Sequence, residues 1–247
     1  MMPRAPSSRD RDISESRFRL RGTEMIRLEA VNDVVFGFAL TLLVVSLEVP
    51  HTYADLVNAM RGFPAFALTF AMLMSVWAQH YQFFRRYGLS DSATILLNTL
   101  LLFVVLFYVY PLKFLFYVWL SPLTGTAMEV RGANGVLRPM MGHADARGLM
   151  LIFSSGFSAV YLVFASLYWH AYRMRGVLKL DLYEVTQTTT DIVEQILLVI
   201  VALVSIVVAL ILPPDRAGNA GYTFLLVPLL LNVNQWLWKR RQRNLGP

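Results

Sequence analysis

Cysteine is absent from the 247 residues of this chain, and charged residues are scarce. Without cysteine the protein forms no disulfide and no thiolate-based metal or catalytic site. Asp, Glu, Lys and Arg together make up 15% of the sequence, whereas a soluble domain carries about a quarter. Hydrophobic residues make up 56%, and the mean hydropathy is +0.52. This composition is typical of a membrane protein and excludes most classes of soluble enzyme.

Motifs of two functional classes are also missing from the sequence. There is no H-E-x-x-H zinc motif and no nucleophile elbow. We therefore expect no enzymatic site and no bound metal or other cofactor. The sequence also has no run that resembles T-V-G-Y-G, from which some membrane proteins build a filter of backbone carbonyls.

The sequence does contain a series of long apolar runs. A membrane-crossing helix needs about 20 mainly apolar residues. Six runs are candidates, over about residues 28–49, 63–84, 93–118, 149–169, 192–212 and 222–238. They predict an all-α integral membrane protein, a bundle of six transmembrane helices within one membrane domain of residues 27–240. Residues 1–26 are polar and lack the apolar segment of a signal peptide, and residues 241–247 are basic, so we interpret both as tails.

Most of the Lys and Arg residues fall on one side of these six runs. They cluster before the first run, after the second, after the fourth and at the C-terminus. Because cytoplasmic loops are enriched in Lys and Arg, we expect both termini to be cytoplasmic. The expected location is a cell membrane, the plasma membrane of a prokaryote, with lipid and no nucleic acid among the partners.

Two connecting segments also carry predictions. The longest connection on the outer side, Ser121–Gly148, is rich in glycine and is predicted to be a loop or small cap. The run TQTTTD, Thr186–Asp191, is predicted to cap the start of the fifth helix, because Thr and Asp side chains accept hydrogen bonds from the free amides of a first turn.

Polar side chains fall at a similar depth in the first three predicted helices. Asp33, His80 and Asn98 each lie about six residues from the cytoplasmic end of their helix, which is about 9 Å at 1.5 Å per residue. Buried polar groups need hydrogen-bond partners, so we expect these side chains to contact one another. Arg27 and Asn32 of the first helix are further candidates for the same polar network.

Two interpretations of this polar network remain open. It can be a structural clamp that fixes the three helices in register. It can also be a proton-sensing or ion-sensing element, with His80 as the titrating group. Arg27, at the membrane edge, can extend its guanidinium to the headgroups or bond to Asp33 of a neighbouring helix.

The outer half of the first predicted helix carries a second pattern. Phe38, Thr41 and Val45 lie within about 60° of one another around a helix, so they share one face. Glu48 is near that face at the outer end, whereas Asp33 points in another direction. The sequence therefore predicts one helix face with apolar, hydroxyl and acidic layers.

Short motifs in the first three predicted helices point to a family. The residues that carry the likeness are Arg27, Asp33 and Thr41 in RLEAVNDVVFGFALT, Trp77, His80 and Phe84 in WAQHYQFF, and Asn98 in NTLLLF. This arrangement resembles the transmembrane protein 175 family of lysosomal and prokaryotic potassium channels, whose first helix carries Arg-x-x-x-Phe-Ser-Asp. Val31 and Asn32 stand where the family usually has Phe and Ser. The likeness covers the first three helices; the last three agree only in number and size.

The resemblance implies a fold and a function. Prokaryotic members have six helices and assemble as tetramers, and the first helix of each subunit lines a central pore for K⁺. On this likeness Phe38 forms an apolar constriction where the family usually has Ile or Leu, Thr41 forms a hydroxyl layer and Val45 forms a second apolar ring. Four copies of Glu48 would attract cations at the outer mouth. K⁺ is then the permeant ion, and further copies of the chain are the partner.

Two other functions stay open from the sequence. Asp33 and His80 could serve as the proton relay of a proton-coupled secondary transporter, although paired mid-helix breaks of the kind seen in such transporters are missing. The chain could also be a non-conducting structural membrane protein. A continuous central opening would distinguish the channel from both.

Overall fold

The computed structural model describes residues 18–22, 27–45, 49–126, 128–131, 136–142 and 145–244. Most of these residues belong to α-helices. In chain order the elements are α1 Arg27–Val45, α2 Tyr53–Tyr87, α3 Ser92–Thr124, β1 Glu129–Arg131, β2 Leu137–Pro139, α4 Asp145–Arg173, α5 Leu182–Ile211, a 3₁₀ helix Ala217–Leu225 and α6 Leu226–Asn244. The two short strands pair in an antiparallel manner in the connection between α3 and α4.

Five of the described helices, α1 to α5, are long and apolar enough to cross a membrane. The chain is therefore a helical, multi-pass membrane protein. The sixth predicted span, residues 222–238, is shared between the 3₁₀ helix and α6. The C-terminal end of α6 is polar and basic, with the sequence WKRRQRN. The apolar stretch of α6 is therefore shorter than those of the other five helices.

The start of α2 lies ten residues before the predicted span, because a capping box begins the helix there. The Thr52 hydroxyl accepts a hydrogen bond from the Asp55 amide at 3.1 Å, and the Asp55 carboxylate accepts one from the Thr52 amide at 2.9 Å. These two bonds satisfy amides that a helix start leaves free. At the other end Gly88 closes α2 in a left-handed conformation, with φ 58°.

The start of α5 shows that the predicted cap at Thr186–Asp191 is wrong. The helix begins at Leu182 and is capped by Asp181, whose carboxylate accepts a hydrogen bond from the Glu184 amide at 2.8 Å. The Glu184 carboxylate accepts one from the Asp181 amide at 3.1 Å. This capping box precedes the threonine run, so Asp191 lies inside the helix, where it is buried.

The first helix packs against its neighbours along one face. The main contacts of α1 are with α2 and α3, whereas α5 packs against α4 and α6. The buried side chains of α1 are Asn32, Phe36, Ala39 and Leu43, at the spacing of one helical face. Within one chain, α1 is therefore held from one side.

Helices α3 and α4 approach closely at Gly156. The Tyr108 ring lies against the Gly156 backbone, and a Cβ at this position would overlap the ring. The Tyr108 hydroxyl donates a hydrogen bond to the carbonyl oxygen of Phe153 at 2.9 Å. A glycine is required here because a larger residue would push the two helices apart.

Candidate functional site: a buried polar triad and an exposed helix face

A buried triad of polar side chains joins the first three helices. Asn32 of α1, His80 of α2 and Asn98 of α3 are each almost fully buried. The His80 Nε2 lies 2.7 Å from the Asn98 Oδ1 and 3.0 Å from the Asn32 Nδ2. The Asn98 Nδ2 donates to the Asn32 Oδ1 at 2.8 Å. The structure thus brings the predicted residues His80 and Asn98 together, with Asn32 as the third member.

The His80 Nε2 faces two neighbours that require opposite roles from it. The Asn98 Oδ1 can only accept a hydrogen bond, so it requires a proton on Nε2. The Asn32 Nδ2 can only donate, so it requires an unprotonated Nε2. One nitrogen satisfies one of these at a time, and the shorter distance favours a proton on Nε2 donated to Asn98. The triad thus fixes the His80 imidazole between the side-chain amides of α1 and α3.

Asp33 lies outside this triad, which differs from the predicted contact between Asp33, His80 and Asn98. Its side chain is exposed, and its Oδ1 accepts a hydrogen bond from the Trp77 Nε1 at 2.9 Å. Successive residues of a helix point about 100° apart, so only one of Asn32 and Asp33 can face the bundle. Burying an amide costs less free energy than burying a carboxylate. Asn32 is accordingly buried, and the Asp33 carboxylate remains exposed and bonds to the Trp77 indole. The Arg27 side chain lies outside the described residues.

The opposite face of α1 is exposed in the single chain. Phe38 is 56% exposed and Val45 is 72% exposed, and Thr41 lies between them on the same face. The Thr41 hydroxyl donates to the carbonyl oxygen of Gly37 at 2.9 Å, which leaves its oxygen lone pairs available on the helix surface. Glu48 lies outside the described residues. The exposed face of α1 therefore presents an aromatic ring, a hydroxyl oxygen and an aliphatic side chain in sequence.

The N-terminal segment, residues 18–22, is bound to the basic end of the bundle, which the sequence did not predict. Both carboxylate oxygens of the fully buried Glu184 accept hydrogen bonds from the Arg21 guanidinium, at 2.6 and 3.1 Å. The Arg19 amide donates to Glu184 as well, at 2.8 Å. The Phe18 ring packs edge-on against Tyr87. The acidic residue at the third position of α5 is the feature of the sequence that relates to this contact.

Two further ion pairs link helices at the same end. The Arg86 guanidinium donates to the Asp191 carboxylate at 2.8 Å, which joins α2 to α5. The His170 Nε2 lies 2.9 Å from the Asp91 Oδ2, which joins α4 to the residue before α3. Partial burial alone would raise the pKa of Asp91, but the hydrogen bond from Thr94 and the neighbouring His170 outweigh it and hold the pKa below its usual range.

Comparisons with known proteins indicate the family of this chain. The family model described as endosomal/lysosomal potassium channel TMEM175 matches residues 27–108. A potassium channel of Marivirga tractuosa is 39% identical over 233 residues, which are 92% of this chain and 93% of the relative. A potassium channel of Chamaesiphon minutus is 27% identical over 177 residues, which are 68% of this chain and 76% of the relative.

A solved structure extends the likeness to the whole fold. The crystal structure of a variant of the potassium channel MtTMEM175, in complex with a nanobody–MBP fusion protein, superposes with a TM-score of 0.76 at 35% sequence identity. The superposition covers 91% of this chain and 98% of that one. The α1 face, the triad and this agreement along the full chain lead to one conclusion: the chain belongs to the TMEM175 family.

Proposed function

We propose that this chain is the subunit of a potassium channel in the plasma membrane of a prokaryote. The proposal is supported by membership of the TMEM175 family and by a relative, 39% identical over almost the full chain, that is named a potassium channel. The observation that carries the mechanism is the two-sided first helix. One side of α1 is fixed to α2 and α3 by the triad, and the other side is free to face copies of itself.

The proposed assembly is a homotetramer with α1 at its axis. Four copies of the exposed face would form successive rings of Phe38, Thr41 and Val45 around a central opening. A partly dehydrated K⁺ would pass the aromatic neck, where ring faces attract cations, and would then meet the hydroxyl oxygens of the Thr41 layer. An apolar neck narrower than a hydrated ion excludes water, so small changes of helix tilt would open and close it.

The proposed topology has six crossings and both termini in the cytoplasm. The contacts of the N-terminal segment support it, because they gather several basic groups at one end. The Arg21 guanidinium bonds to the carbonyl oxygen of Leu178, and the Arg85 guanidinium bonds to that of Gly22. An end with this many Lys and Arg residues is the cytoplasmic end by the positive-inside rule.

The transporter alternative finds less support. A proton relay through Asp33 and His80 needs the two groups to exchange a proton directly or through water. Among the described residues, His80 contacts the side-chain amides of Asn32 and Asn98, and Asp33 is hydrogen-bonded to Trp77. The proposed channel therefore uses the triad as a clamp.

A flux measurement tests the proposal. We would reconstitute the purified protein in liposomes and compare K⁺-driven flux in the wild type, Phe38→Ala and Thr41→Ala. A change of about 1.4 kcal/mol in the barrier at the neck changes the rate about tenfold, and we expect a change of this order for Phe38→Ala. For Thr41→Ala we expect a change in the ratio of K⁺ to Na⁺ flux, because the hydroxyl layer would contact the ion.

A matched control separates the pore from ordinary packing. Phe107 of α3 is 73% exposed and is not part of the α1 face, so Phe107→Ala removes a ring that is more exposed than Phe38 from another helix. We expect this variant to conduct like the wild type. Equal flux in Phe38→Ala and Phe107→Ala, or native masses that correspond to a lone monomer, would contradict the proposal.

A further inference from the structure

A polar cavity lies at the basic end of the bundle, away from α1. It has a volume of about 310 Å³ and is lined by side chains of α2, α4, α5 and α6. The lining residues on which the argument depends are Arg86, Asp191, Glu194, Gln195 and Trp238. None of the lining residues belongs to α1, so the cavity is separate from the proposed ion pathway. Polar groups within a membrane protein usually serve a function.

The described side chains that line the cavity include two carboxylates, Asp191 and Glu194, and one cation, Arg86. Arg86 is paired with Asp191, which also accepts a hydrogen bond from the Gln187 Nε2 at 3.0 Å. The Glu194 carboxylate accepts a long hydrogen bond from the Asn234 Nδ2 at 3.3 Å. Among the described side chains, Glu194 has no ion-pair partner. Glu194 is half-buried, and a carboxylate that has lost part of its hydration without gaining a cation is unfavourable, so this position favours an external positive charge.

A second observation points to a ligand independently of the charge. Gln195 is 1% exposed, and its Oε1 has no hydrogen-bond partner in the described part of the chain. The Nε1 of Trp238, at the other side of the cavity, lacks one as well in the same described part. Buried polar atoms are almost always satisfied in native proteins. The cavity therefore contains both an oxygen that needs a positive partner and an N–H that needs an oxygen.

We propose that the cavity binds one hydrated alkali-metal cation, K⁺ or Na⁺, with the Glu194 carboxylate and the Gln195 Oε1 as its protein ligands. Carboxylate and amide oxygens are hard donors, which suit cations of this kind. One uncompensated negative charge matches one monovalent ion. The volume exceeds that of a bare ion, and a water takes about 30 Å³, so there is room for waters that can accept the Trp238 N–H.

Divalent and transition-metal ions fit the site less well. Such ions are held by several carboxylates or by His and Cys ligands. The described residues contain no group of three His, Asp or Glu side chains placed to share an ion. The amide-rich lining therefore favours an ion of low charge that is coordinated by oxygen atoms.

Thermal unfolding of the purified full-length protein tests the site. Melting temperatures would be measured in rising KCl or NaCl, with choline chloride keeping the ionic strength constant. Any rise in melting temperature that comes from cations bound in the pore is the same in all variants with an intact α1. We expect the wild type to show a saturable rise in melting temperature, and Glu194→Gln and Gln195→Leu to lose part of it. Thr189→Ala, an exposed position on the same helix, should respond like the wild type.

Crystals soaked in Tl⁺, a heavy substitute for K⁺, give a direct measurement. We expect an anomalous peak in the cavity that disappears in Glu194→Gln, while this variant still conducts K⁺ in liposomes. A Tl⁺ peak confined to the axis of α1 would overturn the proposed site and leave the channel proposal intact. The proposal would also be overturned if Gln195→Leu were more stable than the wild type in every salt and responded to KCl as the wild type does. The unsatisfied oxygen of Gln195 would then destabilise the fold without binding a cation.

Discussion

Replacing Asn98 by Leu removes two hydrogen bonds from the centre of the triad while keeping the size of the side chain nearly constant. The His80 Nε2 then loses the acceptor at 2.7 Å, and the Asn32 Oδ1 loses the donor at 2.8 Å. Both remaining groups are buried and can reach water only if the helices separate. We therefore expect Asn98→Leu to loosen the attachment of α1 to the rest of the bundle.

The size of the effect follows from the number of bonds that are lost. Hydrogen bonds between membrane helices contribute about 0.6 kcal/mol each on average and at most about 1.7 kcal/mol. Two of them give a loss of about 1–3 kcal/mol. A buried polar group that stays wholly unsatisfied costs about 1–3 kcal/mol. We therefore expect a loss in the upper half of the stated range if no water reaches His80 and Asn32 in the variant.

Unfolding by SDS titration in mixed micelles measures this loss of stability. The control is Thr99→Ala, the neighbouring residue on α3, whose exposed hydroxyl bonds only to its own helix. The control should lie within about 0.5 kcal/mol of the wild type, as surface substitutions do. If Asn98→Leu were as stable as Thr99→Ala, the triad would not be a clamp, and its polar residues would need another explanation.

Three further substitutions test other contacts. Glu184→Ala leaves the guanidinium and amide of the N-terminal segment without their acceptor, so we expect a loss of about 1.5–3 kcal/mol and faster proteolysis around residues 18–22; unchanged cleavage would refute this. Gly156→Ala forces a methyl group into the Tyr108 ring and should cost about 1–3 kcal/mol, whereas Gly148→Ala, with open space around it, should be neutral or stabilising. Asp91→Asn should destabilise by at most about 1 kcal/mol at neutral pH, because the pair is partly exposed. Because the pKa of Asp91 is lower in the folded protein than in the unfolded chain, the ionised carboxylate stabilises the fold fully at pH values above the unfolded pKa of about 3.9. This stabilisation is lost as the pH falls through the folded pKa, so the stabilities of the wild type and Asp91→Asn should become equal in acid.

The sequence was sufficient to locate residues along a helix and insufficient to orient them around it. His80 and Asn98 could be placed at one depth because every α-helix rises by the same distance per residue. Asn32 and Asp33 differ by one step of rotation, and that step decides which of them is buried. The choice depends on where α2 and α3 lie, and no local pattern contains this information.

Contacts between distant parts of the chain explain the other differences. The buried Glu184 is satisfied by Arg21, which lies 163 residues earlier in the chain. The cavity beside Glu194 is formed by four helices, and each contributes polar residues that look like ordinary helix surface in the sequence. The start of α5 could have been predicted, because Asp181 and Glu184 form a capping box that the longer threonine run obscured.

The attachment of α1 is uneven along its length, and this has a mechanical consequence. Asn32 and Asp33, near the N-terminus of α1, hydrogen-bond to side chains of α2 and α3, whereas Phe36 and Ala39 further along the helix are buried apolar side chains. Position 38 is about 9 Å from this anchored point along the axis, and position 45 is about 20 Å from it. A rotation of about 5° about Asn32 then displaces Phe38 by about 0.8 Å and Val45 by about 1.7 Å, as simple lever geometry on the helix rise requires. With its polar contacts near the N-terminus, α1 acts as a lever whose C-terminal end moves the furthest.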